Sequence, residues 1–235
     1  MIETCAPLDL DMDEAERLLD ATHETTSLSE RIERFSARFL ACPYFANPLE
    51  GGPDSKEIFR VSLQGFDCVT YIETVLALAL SRTTERFIEL MREIRYAGGQ
   101  IDWYHRNHYM IDWVKNNRRR GFIRNITRGI DTVLLSRKLS LIKSLPEKNV
   151  SFRCFPKLAF SRVRTRIETG DTIMFASTRK TLDVFHAGIL IKKEDEVRLR
   201  HATRTAGRVI EQSLASFLSA HRMSGFILLR TLCQD

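Results

Sequence analysis

No run of 18 apolar residues occurs in this 235-residue chain, so no membrane-spanning helix is expected. Cysteines are few and widely spaced. The five, at positions 5, 42, 68, 154 and 233, are odd in number, which argues against a disulfide framework or a zinc cluster and leaves room for one reactive thiol. The opening residues, Met1-Ile2-Glu3-Thr4-Cys5, have neither a basic nor an apolar leader segment, so no export signal is visible. Signatures of nucleic-acid binding are also missing. The basic run Arg118-Arg119-Arg120, with Arg124 and Arg128, has no interleaved aromatics and no recognition-helix motif, so it reads as a solvated face.

With 43% hydrophobic and 28% charged residues, the chain has enough apolar material for one substantial core, and a single domain over 1–235 is expected. Charge is unevenly shared: residues 1–60 hold 13 acids and 6 bases, residues 61–235 hold 17 acids and 30 bases. An anionic polymer fits the basic part as a partner.

The stretch Gly65-Phe66-Asp67-Cys68-Val69-Thr70-Tyr71 is the one that carries chemistry most plainly. Val69, Ile72, Val75, Leu76, Leu78, Ala79 and Leu80 follow it, apolar on nearly every side, as in a helix surrounded by other elements. Asp67 suits the N-cap, which places Cys68 at the first helical position. There the positive helix end favours the thiolate, the nucleophilic form. A cysteine packed at a helix start as a small apolar residue is the plain alternative.

Upstream, residues 12–22 and 27–41 read as amphipathic helices, the second with Ser27 and Glu30 spaced as a capping box. A loop through Pro48, Gly51, Gly52 and Pro53 leads to a short strand at 58–61, and a further helix is expected at 84–95. Residues 96–113 lose periodicity and become rich in aromatics and imidazoles. Trp103, His108 and Tyr109 are candidates to line a cleft there, while Trp113 and Tyr71 read as core. His105 and His108 lack the acid or cysteine that would complete a metal site. Beyond Pro156 the period becomes two, with strands at 171–175, 185–191, 197–201 and 226–232 in antiparallel hairpins and a helix at 213–221. His186 shares a face with Gly188, and His201 stands on the next strand within reach of His186.

The order is therefore cysteine at a helix start, histidine on a strand, then a polar residue on the neighbouring strand. A papain-like site has this order: a thiolate, an imidazole to exchange its proton, and a third group to orient the ring. The local strings agree. Phe66-Asp67-Cys68-Val69-Thr70-Tyr71, Asn107-His108-Tyr109 with Asp112-Trp113, Gly170-Asp171, Phe185-His186-Ala187-Gly188-Ile189 and His201-Ala202 resemble the N-acetylmuramoyl-L-alanine amidase-like family, a branch of the papain-fold, NlpC-type cell-wall peptidases. The resemblance runs from about Gly65 to the C-terminus. Val69 departs from the broader group, which usually carries Ser there, so its peptide specificity does not carry over directly.

The resemblance implies an α+β, papain-like fold in which a helical extension over 1–64 precedes a catalytic core over 65–235, the nucleophile helix packing on a C-terminal antiparallel sheet. It implies Cys68 as nucleophile, His186 as general base and acid, and His201 as the orienting residue, with no metal and no cofactor. The substrate would be a peptidoglycan fragment cut between N-acetylmuramic acid and L-alanine, which places the protein in the cell envelope or periplasm, with the cytoplasm the alternative that the lack of a visible leader leaves open. Asp67 would cap the helix or meet a substrate amide or amine. Other outcomes of the same fold are cleavage of the γ-D-glutamyl link, thioester chemistry, or a catalytically inactive protein that holds an anionic polymer.

Overall fold

Two amphipathic helices open the chain, each starting where a side-chain oxygen takes a spare backbone N–H. Asp11 accepts from Glu14 N ahead of α1 (Met12–Asp20), and Ser27 from Glu30 N ahead of α2 (Leu28–Arg38). After an irregular connection come α3 (Cys68–Leu80) and α4 (Thr84–Arg95), the latter spanning the residues predicted for it. The computed structural model describes residues 9–25, 27–194 and 196–233; the Met1–Cys5 start lies outside them. No strand forms at 58–61. Phe59, Val61 and Leu63 are buried in alternation, which is the pattern that suggested one, but Arg60 makes only an isolated bridge.

Helices α1–α4, the segment to Asn107 and residues Ala202–Ile210 form one compact unit. At its centre α3 is buried from Thr70 to Ala79. A helix so enclosed cannot give its last carbonyls to water. Arg31 of α2 serves them instead: Nε donates to Ala79 O at 2.9 Å, and Nη2 to Leu78 O at 3.0 Å and to Ser81 O. Burial, and Arg82 nearby, lower the Arg31 pKa to about 10. Phe39 and Phe66 pack edge to face at 4.8 Å, and the Tyr71 hydroxyl donates to Ser36 O at 3.1 Å.

The second unit holds His108–His201 and the residues from Glu211. It begins with α5 (Met110–Arg119), a helix that starts within the 96–113 stretch read as irregular and runs beyond it; Met110, Trp113, Val114 and Asn117 form its buried face. Then come β1 (Ile123–Asn125), a separate hairpin of β2 (Val133–Leu139) and β3 (Lys148–Cys154), and the single turn α6 (Phe160–Val163). β4 (Thr172–Ala176), β5 (Val184–Lys193), β6 (Glu196–Thr203), β7 (Arg208–Ser213), α7 (Leu214–Ala220) and β8 (Gly225–Thr231) complete the chain. The main sheet has the order β1-β8-β4-β5-β6-β7, and the pairs β1–β8, β4–β8, β4–β5 and β5–β6 are antiparallel. Phe175, Leu190, Leu199, Phe217 and Phe226 share its apolar core. Overall this is a mixed α/β protein whose sheet is mostly antiparallel.

The Gly170-Asp171 pair turns the chain into β4, and its carboxylate explains the motif. Asp171 accepts from Glu168 N at 2.9 Å and takes a forked contact from Arg230 of β8, at 2.8 and 2.9 Å.

Candidate active site

Asp67 builds the start of α3. Its Oδ1 accepts from Val69 N at 3.0 Å, Thr70 N at 2.7 Å and Thr70 Oγ1 at 2.8 Å, while Thr70 Oγ1 accepts from Asp67 N at 3.0 Å. This reciprocal cap fixes Cys68 as the first helical residue, half-buried, at the positive end of a 13-residue helix. The approach is held by a second contact. Residues 43–45 run beside Phe66, with Phe66 N donating to Pro43 O and Phe45 N to Phe66 O, both at 3.0 Å. A Cβ at Gly65 would meet the Phe45 ring at 2.5 Å, so that exposed ring can lie over the turn as it does only beside a glycine.

That pairing also brings in Tyr44, which the sequence reading missed. Burial raises its phenol pKa, as do Asp67 and Cys68 beside it, against the opposing pull of Arg204. The phenol therefore stays protonated through the neutral range. No motif marked it; only the bridge between Tyr44 and Phe66 reveals it.

In the second unit the structure brings His186 and His201 together as expected. His186 Nε2 lies 2.5 Å from His201 Nδ1, the rings nearly perpendicular at 80°. Gly188 makes this possible: a Cβ there would meet Arg200 O at 2.7 Å and His201 Cβ at 3.0 Å. The His186 ring is stacked on Phe175 and Phe217, so its plane is set by apolar neighbours. His201 is 1% exposed. Burial lowers both imidazole pKa values, His186 further through His201 and His221, and His201 through His221. Gln212 Nε2, 2.7 Å from His201 Nε2, is the second residue that sequence reasoning missed.

The remaining predicted residues fall differently. Tyr109 is buried, its ring under Lys148 Nζ and its hydroxyl accepting from Ile142 N at 3.2 Å, so it packs rather than presents a face to a cleft. Trp103 is also buried, edge-on to Tyr104. His108 is half-buried, and His105 Nδ1 contacts Asp102 at 3.0 Å. Among the described residues no three His, Cys, Asp or Glu side chains converge as metal ligands. Arg118, Arg119, Arg120, Arg124 and Arg128 are exposed, the first two on the last turn of α5, where cations suit the helix dipole.

Solved structures carry the same fold. A crystal structure of a Legionella pneumophila protein superposes with a TM-score of 0.82 at 24% identity, covering 94% of each chain. An N-acetylmuramoyl-L-alanine amidase from Bacteroides uniformis gives 0.76 at 27% identity over 87% of this chain and 98% of that one, and a second structure of that description gives 0.78 at 26% over 87% and 99%. A sequence search of curated proteins returns no match. Residues 34–226, which take in both the Cys68 helix and the histidine strands, match the family described as N-acetylmuramoyl-L-alanine amidase-like, and the chain belongs to that family.

Proposed function

We propose that this amidase-like chain is a papain-like cysteine amidase that hydrolyses the amide between the lactyl group of N-acetylmuramic acid and L-alanine in peptidoglycan fragments, acting in the cell envelope. The observation that supports it most is the His186–His201 contact at 2.5 Å: with Nε2 engaged, Nδ1 is the one His186 nitrogen left for chemistry, and the ring is already oriented. Cys68 supplies the thiolate from the N-terminus of α3. It attacks the lactyl carbonyl, and the N–H groups at that helix end stabilise the oxyanion. His186 gives a proton to the departing alanine amine, leaving a thioester on Cys68. Water, deprotonated by His186, then releases the sugar acid and restores the thiol. Asp67 spends Oδ1 on the cap, and Oδ2 is the oxygen we assign to a substrate amide or amine. His108 is a further candidate contact.

The test is turnover of a purified muropeptide, with products weighed by mass spectrometry, alongside the pH dependence of Cys68 alkylation. Release of a stem peptide that begins with L-alanine is expected, with alkylation proceeding well below pH 7 and activity lost by at least about 10³-fold in Cys68→Ala. A product that keeps L-alanine and D-glutamate on the sugar would assign the γ-D-glutamyl bond instead. Full biological effect in Cys68→Ala would favour a binding protein.

A further inference from the structure

The hydrogen-bonded rings do not end at His201. Its Nε2 lies 2.7 Å from Nε2 of Gln212 on β7, the strand beside β6. A carboxamide nitrogen has protons to give and no lone pair to accept one. His201 Nε2 is therefore the acceptor, a neutral His201 carries its proton on Nδ1, and Nδ1 donates to His186 Nε2. One amide thus decides where two imidazoles hold their protons.

We infer that Gln212 is a positioning residue of the site, acting through His201 to set which nitrogen of His186 carries the proton, and so whether Nδ1 is free to take one from the thiol; this rests on the reading of His186 as general base. In the arrangement seen, Gln212 donates and His186 accepts at Nε2, so a neutral His186 carries its proton on Nδ1 and cannot take the thiol proton there. For Nδ1 to act as base, the His186 proton must sit on Nε2, and that Nε2–H needs an acceptor both before and after Nδ1 takes the thiol proton. His201 Nδ1 fills that part only if the His201 proton sits on Nε2, where half a turn of the carboxamide presents Oε1 to it. Passing from the first arrangement to the second moves the Nδ1 proton of His201 to His186 Nε2, while one proton leaves His186 Nδ1 and one arrives at His201 Nε2. Transfer then leaves none on sulfur, two on His186 and one on His201, the same three that sulfur and the two rings held before it. Glutamine serves both arrangements, glutamate only the second, and methionine neither. The charged and titratable groups nearby are His221, stacked on Phe217 at 4.1 Å, and the Arg200–Glu211 pair at 2.7 Å, to which Lys193 adds a contact at 3.3 Å.

The experiment is long-range ¹H–¹⁵N NMR of the histidine rings in the full chain and in Gln212→Glu and Gln212→Met, with kcat/KM on a muropeptide measured against pH. In Cys68→Ala, where no thiolate can hold His186 as imidazolium, His201 should be protonated on Nδ1 at neutral pH. In Gln212→Glu, nearly isosteric, the proton should move to Nε2 and the alkaline limb of kcat/KM should rise by about one pH unit, because a carboxylate favours the imidazolium. In Gln212→Met, kcat should fall about 10- to 100-fold with KM little changed, the scale usual for loss of an outer hydrogen-bond partner. Unchanged His201 tautomers in both variants overturn the inference. A tautomer shift in a protein that turns over no muropeptide in any form upholds the role of Gln212 on His201 and overturns the amidase reading instead.

Discussion

Glu73 and Arg95 meet at 2.8 Å with 2% of either side chain exposed. Burial works against the guanidinium charge, and Glu73 beside it, with Tyr96 and Asp67, outweighs that, so the Arg95 pKa is raised. Arg95 also donates to Arg60 O at 2.5 Å, tying the connection before α3 to α4. Removing one partner strands the other charge away from water. Glu73→Ala is expected to lower stability by about 3–5 kcal/mol, whereas replacing both residues by methionine should cost far less, since no uncompensated ion is left. Urea unfolding of the two variants checks this; equal losses would mean the pair is worth no more than its packing. Nothing in the sequence announced Glu73. A single carboxylate in an apolar helix shows no partner when that partner lies 22 residues on, at a position fixed only by how α3 meets α4.

Between strands, the smallest side chain carries the largest constraint. An alanine at Gly188 would place its Cβ 2.6 Å from Leu199 Cδ1 and 2.7 Å from Arg200 O. The leucine tip can turn away, but the carbonyl belongs to the β5–β6 ladder, so the strands must part and carry His201 from His186. Gly188→Ala is therefore expected to cut kcat at least about 10-fold, with unfolding free energy lowered by about 1–3 kcal/mol. Steady-state kinetics checks it, and an unchanged kcat would mean the ladder absorbs the methyl without moving His201. The strands around this glycine were legible because each is a short apolar run between turn residues, and alternation alone put His186 and His201 within reach. The helix before them was legible from Asp67 and the unbroken apolar face behind it. α5 was not, because it starts at Tyr109 without a capping side chain and its buried face includes a polar residue, Asn117. β2 and β3 are mostly exposed, so they lack the apolar alternation by which the other strands were read. Gln212 stayed hidden for a related reason: β7 reads Arg-Val-Ile-Glu-Gln-Ser, and only its place beside β6 gives the amide a partner.

Across the whole molecule, the buried imidazoles link the site to acid stability. Burial lowers the pKa of His186 from 6.5 to about 3 and that of His201 to about 4. Both rings are then neutral in the folded protein at pH values where the unfolded chain binds a proton at each. Below pH 6.5 the unfolded state gains protons that the folded state refuses, so stability falls as pH falls, by about 1.4 kcal/mol per unit for each ring, until the folded pKa is reached. The net charge of +6 works in the same direction, because added protons increase self-repulsion. His201 is engaged at both nitrogens, so its ring has little room to take up a proton without breaking a contact. Urea midpoints between pH 7 and 5 should therefore fall in the wild type, and flatten in His201→Asn by about half of the two-ring slope or more. A wild type as stable at pH 5 as at pH 7 would mean that the rings are already protonated in the folded protein, and the hydrogen-bond chain from His186 through His201 to Gln212 would then have to be drawn with its protons reversed.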